Sequence, residues 1–172
     1  TFIVYDPEFQ KLTIHESYTR QKDGTVIKTP SNALVEVLPS SAANAPAYNH
    51  LKEMVVVHTG LELGATIYLD YSIVSKAGYL PELDVCCPVK ELSPVKEFIF
   101  RLNVPAGKSV RYELLNASAK PVIAQGNGMK SFIWTLKDVA PRPYAYPSGR
   151  GNLGLVQAVA SGMMPVFVAS TW

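Results

Sequence analysis

The segment Ala65-Thr66-Ile67-Tyr68-Leu69-Asp70-Tyr71-Ser72-Ile73-Val74-Ser75 changes character with a period of two residues. Successive side chains of a β-strand point to opposite faces. One face of this segment carries Ile67, Leu69, Tyr71 and Ile73, and the other carries Thr66, Tyr68, Asp70 and Ser72. The alternation therefore predicts a half-buried strand over residues 65–75.

The same alternation recurs downstream in two neighbouring segments. Their apolar faces consist of Phe98, Phe100, Leu102 and Val104 in the first segment and Val110, Tyr112 and Leu114 in the second. Pro105-Ala106-Gly107-Lys108 lies between them, and its proline fixes φ while its glycine tolerates positive φ. This composition predicts a hairpin over Val95–Leu115.

Two further hairpins are predicted around turns that contain glycine. Residues 12–28 carry Lys22-Asp23-Gly24 between two strand-like segments, and Asp-Gly is a strong short-range signal for a hairpin. Residues 121–137 carry Gln125-Gly126-Asn127-Gly128 in the same position. Trp134 lies on the apolar face of the segment after this turn, so we expect it in the core.

Short β-branched segments at Met54–His58 and Pro165–Ser170 bring the expected total to about nine or ten strands. Helix signals are weak: Tyr48–Met54 could form one turn, and glycines disfavour the other candidate, Gly149–Ser161. We expect an all-β, mostly antiparallel β-sandwich with little helix. No shift in composition marks a boundary, so we expect a single domain over residues 1–172.

The composition excludes several classes of partner. The chain of 172 residues has a net charge of +2, and its charged residues are scattered singly instead of forming a basic stripe. Nucleic acid is therefore not an expected partner. The longest apolar runs are far shorter than the roughly 20 residues that span a bilayer, so no membrane span is expected. Because the chain begins at Thr1 without a methionine, we expect a fragment of a longer protein.

The order of these segments along the chain resembles that of the DUF3857 family. The resemblance is carried by Tyr5-Asp6-Pro7-Glu8-Phe9-Gln10-Lys11-Leu12, the strand with Ile14, His15 and Glu16, Lys22-Asp23-Gly24-Thr25-Val26-Ile27, the run from Asn49 to Gly64, Phe98 to Pro105, and Phe132-Ile133-Trp134. It extends over nearly the whole chain, from about Phe2 to Trp172.

The resemblance implies a non-catalytic β-sandwich that precedes a transglutaminase-like domain of the papain-like thiol class in bacterial proteins, many from Bacteroidetes. It also implies export to the periplasm or cell envelope. The expected partner is then the downstream transglutaminase-like domain of the same chain. The family offers no catalytic or binding residues to carry over, and we expect no cofactor.

The chain itself shows no catalytic set. A transglutaminase-like site needs a Cys at a helix N-terminus with a His beside it, but Cys86-Cys87 is followed by Pro88, and His15, His50 and His58 all lie upstream. We expect both thiols to be packed or half-buried. The histidines are too far apart in sequence to suggest a zinc site, and no metal is expected.

Residues 140–154 contain both the candidate surface site and a misleading motif. Gly149-Arg150-Gly151-Asn152-Leu153-Gly154 has dinucleotide-binding spacing but lacks the strand and helix that the fingerprint requires. Arg142, Tyr144 and Tyr146, between prolines, could instead stack on a sugar ring or dock on a neighbouring domain. A plain connector whose tyrosines lie against the sandwich is the other interpretation. A carbohydrate-binding module is thus the alternative to a structural module. The chain departs from the family here, since Pro141-Arg142-Pro143-Tyr144 is basic and aromatic where the family places acidic residues.

Overall fold

A computed structural model of the chain describes residues 1–89, 93–141 and 164–171. These residues form only β-strands and three single-turn 3-10 helices. The strands are β1 Phe2–Tyr5, β2 Gln10–Arg20, β3 Val26–Lys28, β4 Leu34–Val37, β5 Lys52–Val56, β6 Thr66–Ser75, β7 Asp84–Pro88, β8 Val95–Pro105, β9 Arg111–Leu115, β10 Val122–Gly126, β11 Met129–Val139 and β12 Val166–Ser170. The 3-10 helices are Ser31–Ala33, Ser40–Ala42 and Pro46–Tyr48. All pairings are antiparallel, which confirms the predicted all-β antiparallel fold class.

The chain divides into two compact units, an N-terminal unit of residues 1–80 and a C-terminal unit of residues 81–172. Each contains two three-stranded sheets within its described residues. The strand orders are β1-β5-β4 and β3-β2-β6 in the N-terminal unit and β10-β11-β8 and β7-β12-β9 in the C-terminal unit. The expectation of one domain over residues 1–172 stays a prediction.

The core of the C-terminal unit is aromatic. Trp134 and Phe167 are almost completely buried, which confirms the prediction for Trp134. Register explains this core, because Trp134 of β11 lies opposite Phe100 of β8, and Phe167 lies on the central strand of the other sheet. The ring of Phe167 stacks on Phe100 with centroids 4.7 Å apart and meets Trp134 at 5.8 Å. The two sheets therefore face each other across these rings.

The predicted hairpin over Val95–Leu115 is wrong, although its turn exists. The amide of Lys108 donates to the carbonyl of Pro105, but β8 pairs with β11 whereas β9 pairs with β12. The turn sends the chain from one sheet to the other, and the apolar faces of both strands still meet in the core. Local turn chemistry does not distinguish a hairpin from a change of sheet.

The other two predicted hairpins are confirmed as β2–β3 and β10–β11. In the second, Asn127 and Gly128 form a two-residue loop with φ of 51° and 73°. Positive φ at both positions is the requirement of a type I′ turn, which matches the right-handed twist of the strands it joins.

The helical turn predicted at Tyr48–Met54 is wrong. The 3-10 helix ends at Tyr48, and residues from Lys52 onward form β5. This strand is the centre of its sheet, paired with both β1 and β4, so tertiary pairing determines the conformation of Met54 and its neighbours. The other helix candidate, Gly149–Ser161, lies outside the described residues.

Strand β6 has the predicted alternation but less burial than predicted. Its odd-numbered residues lie on one face of the β2–β6 pair and its even-numbered residues lie on the other, as the sequence indicates. Yet Ile67 and Tyr71 are 46% and 44% exposed. The physical reason is that β6 is an edge strand of its sheet, since β2 is its one neighbour among the strands that the structure describes.

Candidate functional site

The sequence-predicted site residues Arg142, Tyr144 and Tyr146 lie outside the described residues, and so does the glycine-rich run 149–154. The possible role of the two tyrosines and the arginine in binding glycan or a neighbouring domain therefore stays a prediction.

The two cysteines lie in the middle of a β-strand. Cys86 and Cys87 belong to β7 and pair with Val168 and Phe167 of the central strand β12. Cys87 is half-buried against the aromatic core, as expected, whereas Cys86 is exposed, so the expectation of packing is wrong for that thiol. Adjacent strand residues point to opposite faces, and neither cysteine lies at the N-terminus of a helix.

Each histidine has its own local partner in the N-terminal unit. His50 lies 3.5 Å from the buried carboxylate of Asp6, and His58 contacts the hydroxyl of Thr1 at 3.0 Å. Burial, with a smaller contribution from the N-terminal charge, lowers the pKa of His58. Among the described residues, no three metal-ligating side chains come together. In sequence, each unit has either histidines or cysteines but not both.

A charged cluster lies at one end of the C-terminal unit. Glu82 accepts hydrogen bonds from Lys108 at 2.8 Å and from the hydroxyl of Thr171 at 2.7 Å. These two donors hold the pKa of Glu82 below its usual value. Thr171 also accepts a bond from the amide of Leu83, so the cluster ties the end of β12 to the start of β7. Its geometry fits a structural clamp.

An open cleft of about 450 Å³ is lined by one end of the β2–β6 pair in the N-terminal unit. Its residues are Tyr5, Pro7, Gln10, Lys11, Leu12, Val74, Ser75 and Lys76. The polar groups are already engaged with one another: Gln10 accepts from the amide of Asp6 and donates to Ser75, and Lys76 donates to the carbonyl of Glu8. Tyr5 donates to Glu36, and burial, followed by that carboxylate, raises the pKa of Tyr5 to about 12. The cleft thus resembles a sheet end that is held together by its own hydrogen bonds more than it resembles a reaction site.

The most conspicuous surface is one face of the sheet β1-β5-β4, which we call the outer apolar face. It consists of Phe2, Val4, Val35, Val37 and Val55. Phe2 is 70% exposed and Val4 is 49% exposed, although both belong to a regular strand. Monomeric proteins rarely expose contiguous apolar patches of this kind unless the patch has a partner.

One charge lies within the outer apolar face. Glu53, on the central strand β5, is directly opposite Val4 on one side and Val37 on the other. It is half-buried among them. A carboxylate enclosed by valines disfavours a purely apolar partner and favours one that offers a cation at this point.

The sequence contained a signal for this face that our prediction did not use. Phe2-Ile3-Val4-Tyr5 is apolar at every position, and such a run indicates a strand buried on both faces. In the structure, Ile3 and Tyr5 are buried while the alternate residues Phe2 and Val4 are exposed. The sequence pattern thus predicts burial of Phe2 and Val4, whereas the structure leaves both of them exposed.

Taken together, the fold and the surface define a strand-rich module with an exposed apolar sheet face. Residues 1–143 match the DUF3857 family, described as a domain of unknown function with a solved structure, and the chain belongs to this family. No curated protein matches the sequence. The described residues include no helix with the length and hydropathy needed to cross a bilayer.

A solved structure is similar over the whole chain. It is the crystal structure described as "a putative protease" from Parabacteroides distasonis, with 51% sequence identity and a TM-score of 0.87. The match covers 100% of this chain and 32% of that protein, so the chain spans about a third of the length of its relative. The source of this relative agrees with the bacterial group that the sequence resemblance implied.

Proposed function

We propose that this chain is a non-catalytic interaction module that packs against and orients a transglutaminase-like domain downstream in the same polypeptide. The observation that carries the proposal is the outer apolar face, where Phe2 and Val4 are exposed on a strand whose sequence is typical of burial on both sides. A tethered domain needs little intrinsic affinity to stay docked, since a short linker gives an effective concentration of about a millimolar.

Two further observations support this role. The solved relative is about three times as long and carries a protease description, so two thirds of its length lie outside the part that matches this chain. Within this chain the cysteines lie on β7, an edge strand of its sheet, and not at the start of a helix that could activate a thiol. Chemistry attributed to such a protein is then the work of another domain, and export to the periplasm or envelope is part of the same proposal.

The outer apolar face also predicts the chemistry of the docking partner. Valine and phenylalanine side chains favour an apolar surface, and Glu53 at its centre favours an arginine or lysine opposite it. We expect the contacting surface of the downstream domain to be apolar with one central basic residue.

Hydroxyl-radical labelling read by mass spectrometry tests the proposal. Phe2, Val4 and Val35 are expected to be labelled several-fold more slowly in the complete polypeptide than in the chain of residues 1–172. Leu63, which is 96% exposed, serves as the control and should be labelled equally in both. In the complete polypeptide, Val35→Lys should restore labelling at Phe2, whereas Leu63→Lys should not.

Equal labelling of Phe2 and Val4 in the two proteins would overturn the docking role of the outer apolar face. A continuation of the polypeptide without a Cys, His and Asp set would overturn the assignment of its partner.

A further inference from the structure

Strand β6 presents a second unpartnered feature, which is a backbone edge and not a sheet face. Ten residues from Thr66 to Ser75 pair with β2 on one side and with no described residue on the other. Proteins usually protect such edges with a lysine, a proline or a bulge. β6 contains no lysine or proline, and the bulge of this ladder lies in β2 near His15.

The hydrogen-bond pattern shows which residues of β6 have their backbone groups at the open edge. The amide of Lys76 donates to the carbonyl of Phe9, so the even residues at that end of β6 bond to β2. At the other end, the carbonyl of Ser17 accepts a hydrogen bond from the amide of Thr29, which follows β3 in the chain. The backbone groups of Ser17 therefore point toward β3 and away from Leu69, the residue opposite it in β6. The odd residues of β6 therefore direct their N–H and C=O groups outward.

Three of these outward-directed residues carry exposed apolar side chains, as do the even residues Tyr68 and Val74, which are 40% and 62% exposed. Ile67, Tyr71 and Ile73 are 46%, 44% and 37% exposed. An added strand would thus gain backbone hydrogen bonds and side-chain contacts at the same positions, as in β-strand addition. The only charged residue of β6 is Asp70, which restricts the registers that a second copy could adopt.

We propose that β6 is the pairing edge of a two-fold symmetric dimer in which β6 of one copy adds antiparallel to β6 of a second copy. With a two-fold axis perpendicular to the sheet, the corresponding faces of the two copies form one surface. Odd-numbered residues then lie opposite odd-numbered residues, and even-numbered opposite even-numbered ones. An axis at Asp70 would place two carboxylates opposite each other, which is destabilising. An axis at Tyr71 avoids this and keeps nearly the full strand paired.

In the register centred on Tyr71, all opposing pairs are compatible. Leu69 lies opposite Ile73, and on the other face Asp70 lies opposite Ser72. The outward groups of the odd residues then form about ten hydrogen bonds across the axis, a number typical of a specific interface. The two β3-β2-β6 sheets become one six-stranded sheet.

Site-specific disulfide formation tests both the dimer and its register. The assay uses the chain with Cys86→Ala and Cys87→Ala, because both native thiols would otherwise react. Tyr71→Cys should form a covalent dimer, since opposing residues of a hydrogen-bonded pair have Cα atoms about 5.5 Å apart, within disulfide range. Tyr68→Cys alone should not, because its two copies would lie roughly 20 Å apart along the strands. Tyr68→Cys combined with Val74→Cys should form the dimer again.

Sedimentation velocity on the chain without cysteine changes provides an independent measurement. We expect a concentration-dependent dimer whose dissociation constant rises at least about tenfold in Ile73→Lys, where a cation enters an apolar pair. Leu63→Lys adds the same charge in a loop and should leave the constant unchanged.

A monomer at all concentrations would overturn the proposal, and so would equal crosslinking of Tyr71→Cys and Tyr68→Cys. Protection of β6 in a monomeric complete polypeptide would assign the edge to a strand of another domain and would also overturn it. None of these results bears on labelling of the outer apolar face, so this inference and the proposed function fail separately.

Discussion

Replacing Trp134 with alanine should remove a large part of the stability of the C-terminal unit. The side chain is 2% exposed, and its ring contacts those of Phe100, Tyr112, Phe132 and Phe167 at centroid distances from 5.2 to 6.2 Å. Truncation of a buried tryptophan costs about 3–5 kcal/mol because transfer free energy is lost and a cavity remains. A domain has roughly 5–15 kcal/mol in total.

Native-state hydrogen exchange measures this loss within the C-terminal unit alone. The slowest amides of β8 and β11 report its global opening. A loss of about 4 kcal/mol accelerates their exchange about a thousand-fold. Trp134→Phe keeps most of the ring contacts and should cost about 1–2 kcal/mol.

The matched control is Ile99→Thr on the opposite face of β8. Ile99 is 55% exposed, and threonine keeps the β-branch, so the change should stay within about 0.5 kcal/mol. If Trp134→Ala accelerated exchange no more than Ile99→Thr, the aromatic core described here would not be what stabilises the unit.

Two further predictions concern a titrating group and a backbone position. The pKa of Glu82 is lowered because Lys108 donates to its carboxylate. The ionised carboxylate therefore stabilises the fold at pH values above the pKa that Glu82 has in the unfolded chain. This contribution is lost as pH falls through the pKa that Glu82 has in the folded chain. Glu82→Gln should therefore lower the melting temperature at pH 7 but not near pH 2, and an equal decrease at both would contradict the assignment. Gly60 has φ of 72°, and a Cβ there would overlap Cδ1 of Ile27, so Gly60→Ala should cost about 1–2 kcal/mol in urea unfolding. Gly107→Ala, where a Cβ meets open space, is its control, and equal costs would show that neither strain nor overlap matters.

The sequence predicted local features of this fold well because their causes are local. Alternation placed Phe98 and Trp134 on buried faces, and the Asn127-Gly128 dipeptide predicted its turn through the need for positive φ. The partner of β9 was not predictable in this way. Its pairing with β12 joins Leu114 to Phe167, and nothing in the intervening turn residues records a contact over that separation.

The candidate site was predictable in part. The run Phe2-Ile3-Val4-Tyr5 indicated burial on both faces, but the exposure of Phe2 appeared only once β1 had been placed at the edge of a three-stranded sheet. Glu53 had no distinguishing local pattern, because its position among valines results from pairing with strands on both sides. Arg142, Tyr144 and Tyr146, predicted from composition alone, remain untested.

The position of β12 has a consequence for synthesis of the chain. β12 is the central strand between β7 and β9, yet it is the last of the three to leave the ribosome. Until then β7 and β9 lack the strand that pairs with both of them. At about 5–20 residues per second, translation of the intervening residues delays this pairing by seconds. Pairings between distant residues also form slowly. Until β12 is synthesised, the aromatic face of β8 and β11 also lacks Phe167, whose ring packs against Phe100 and Trp134 in the folded unit.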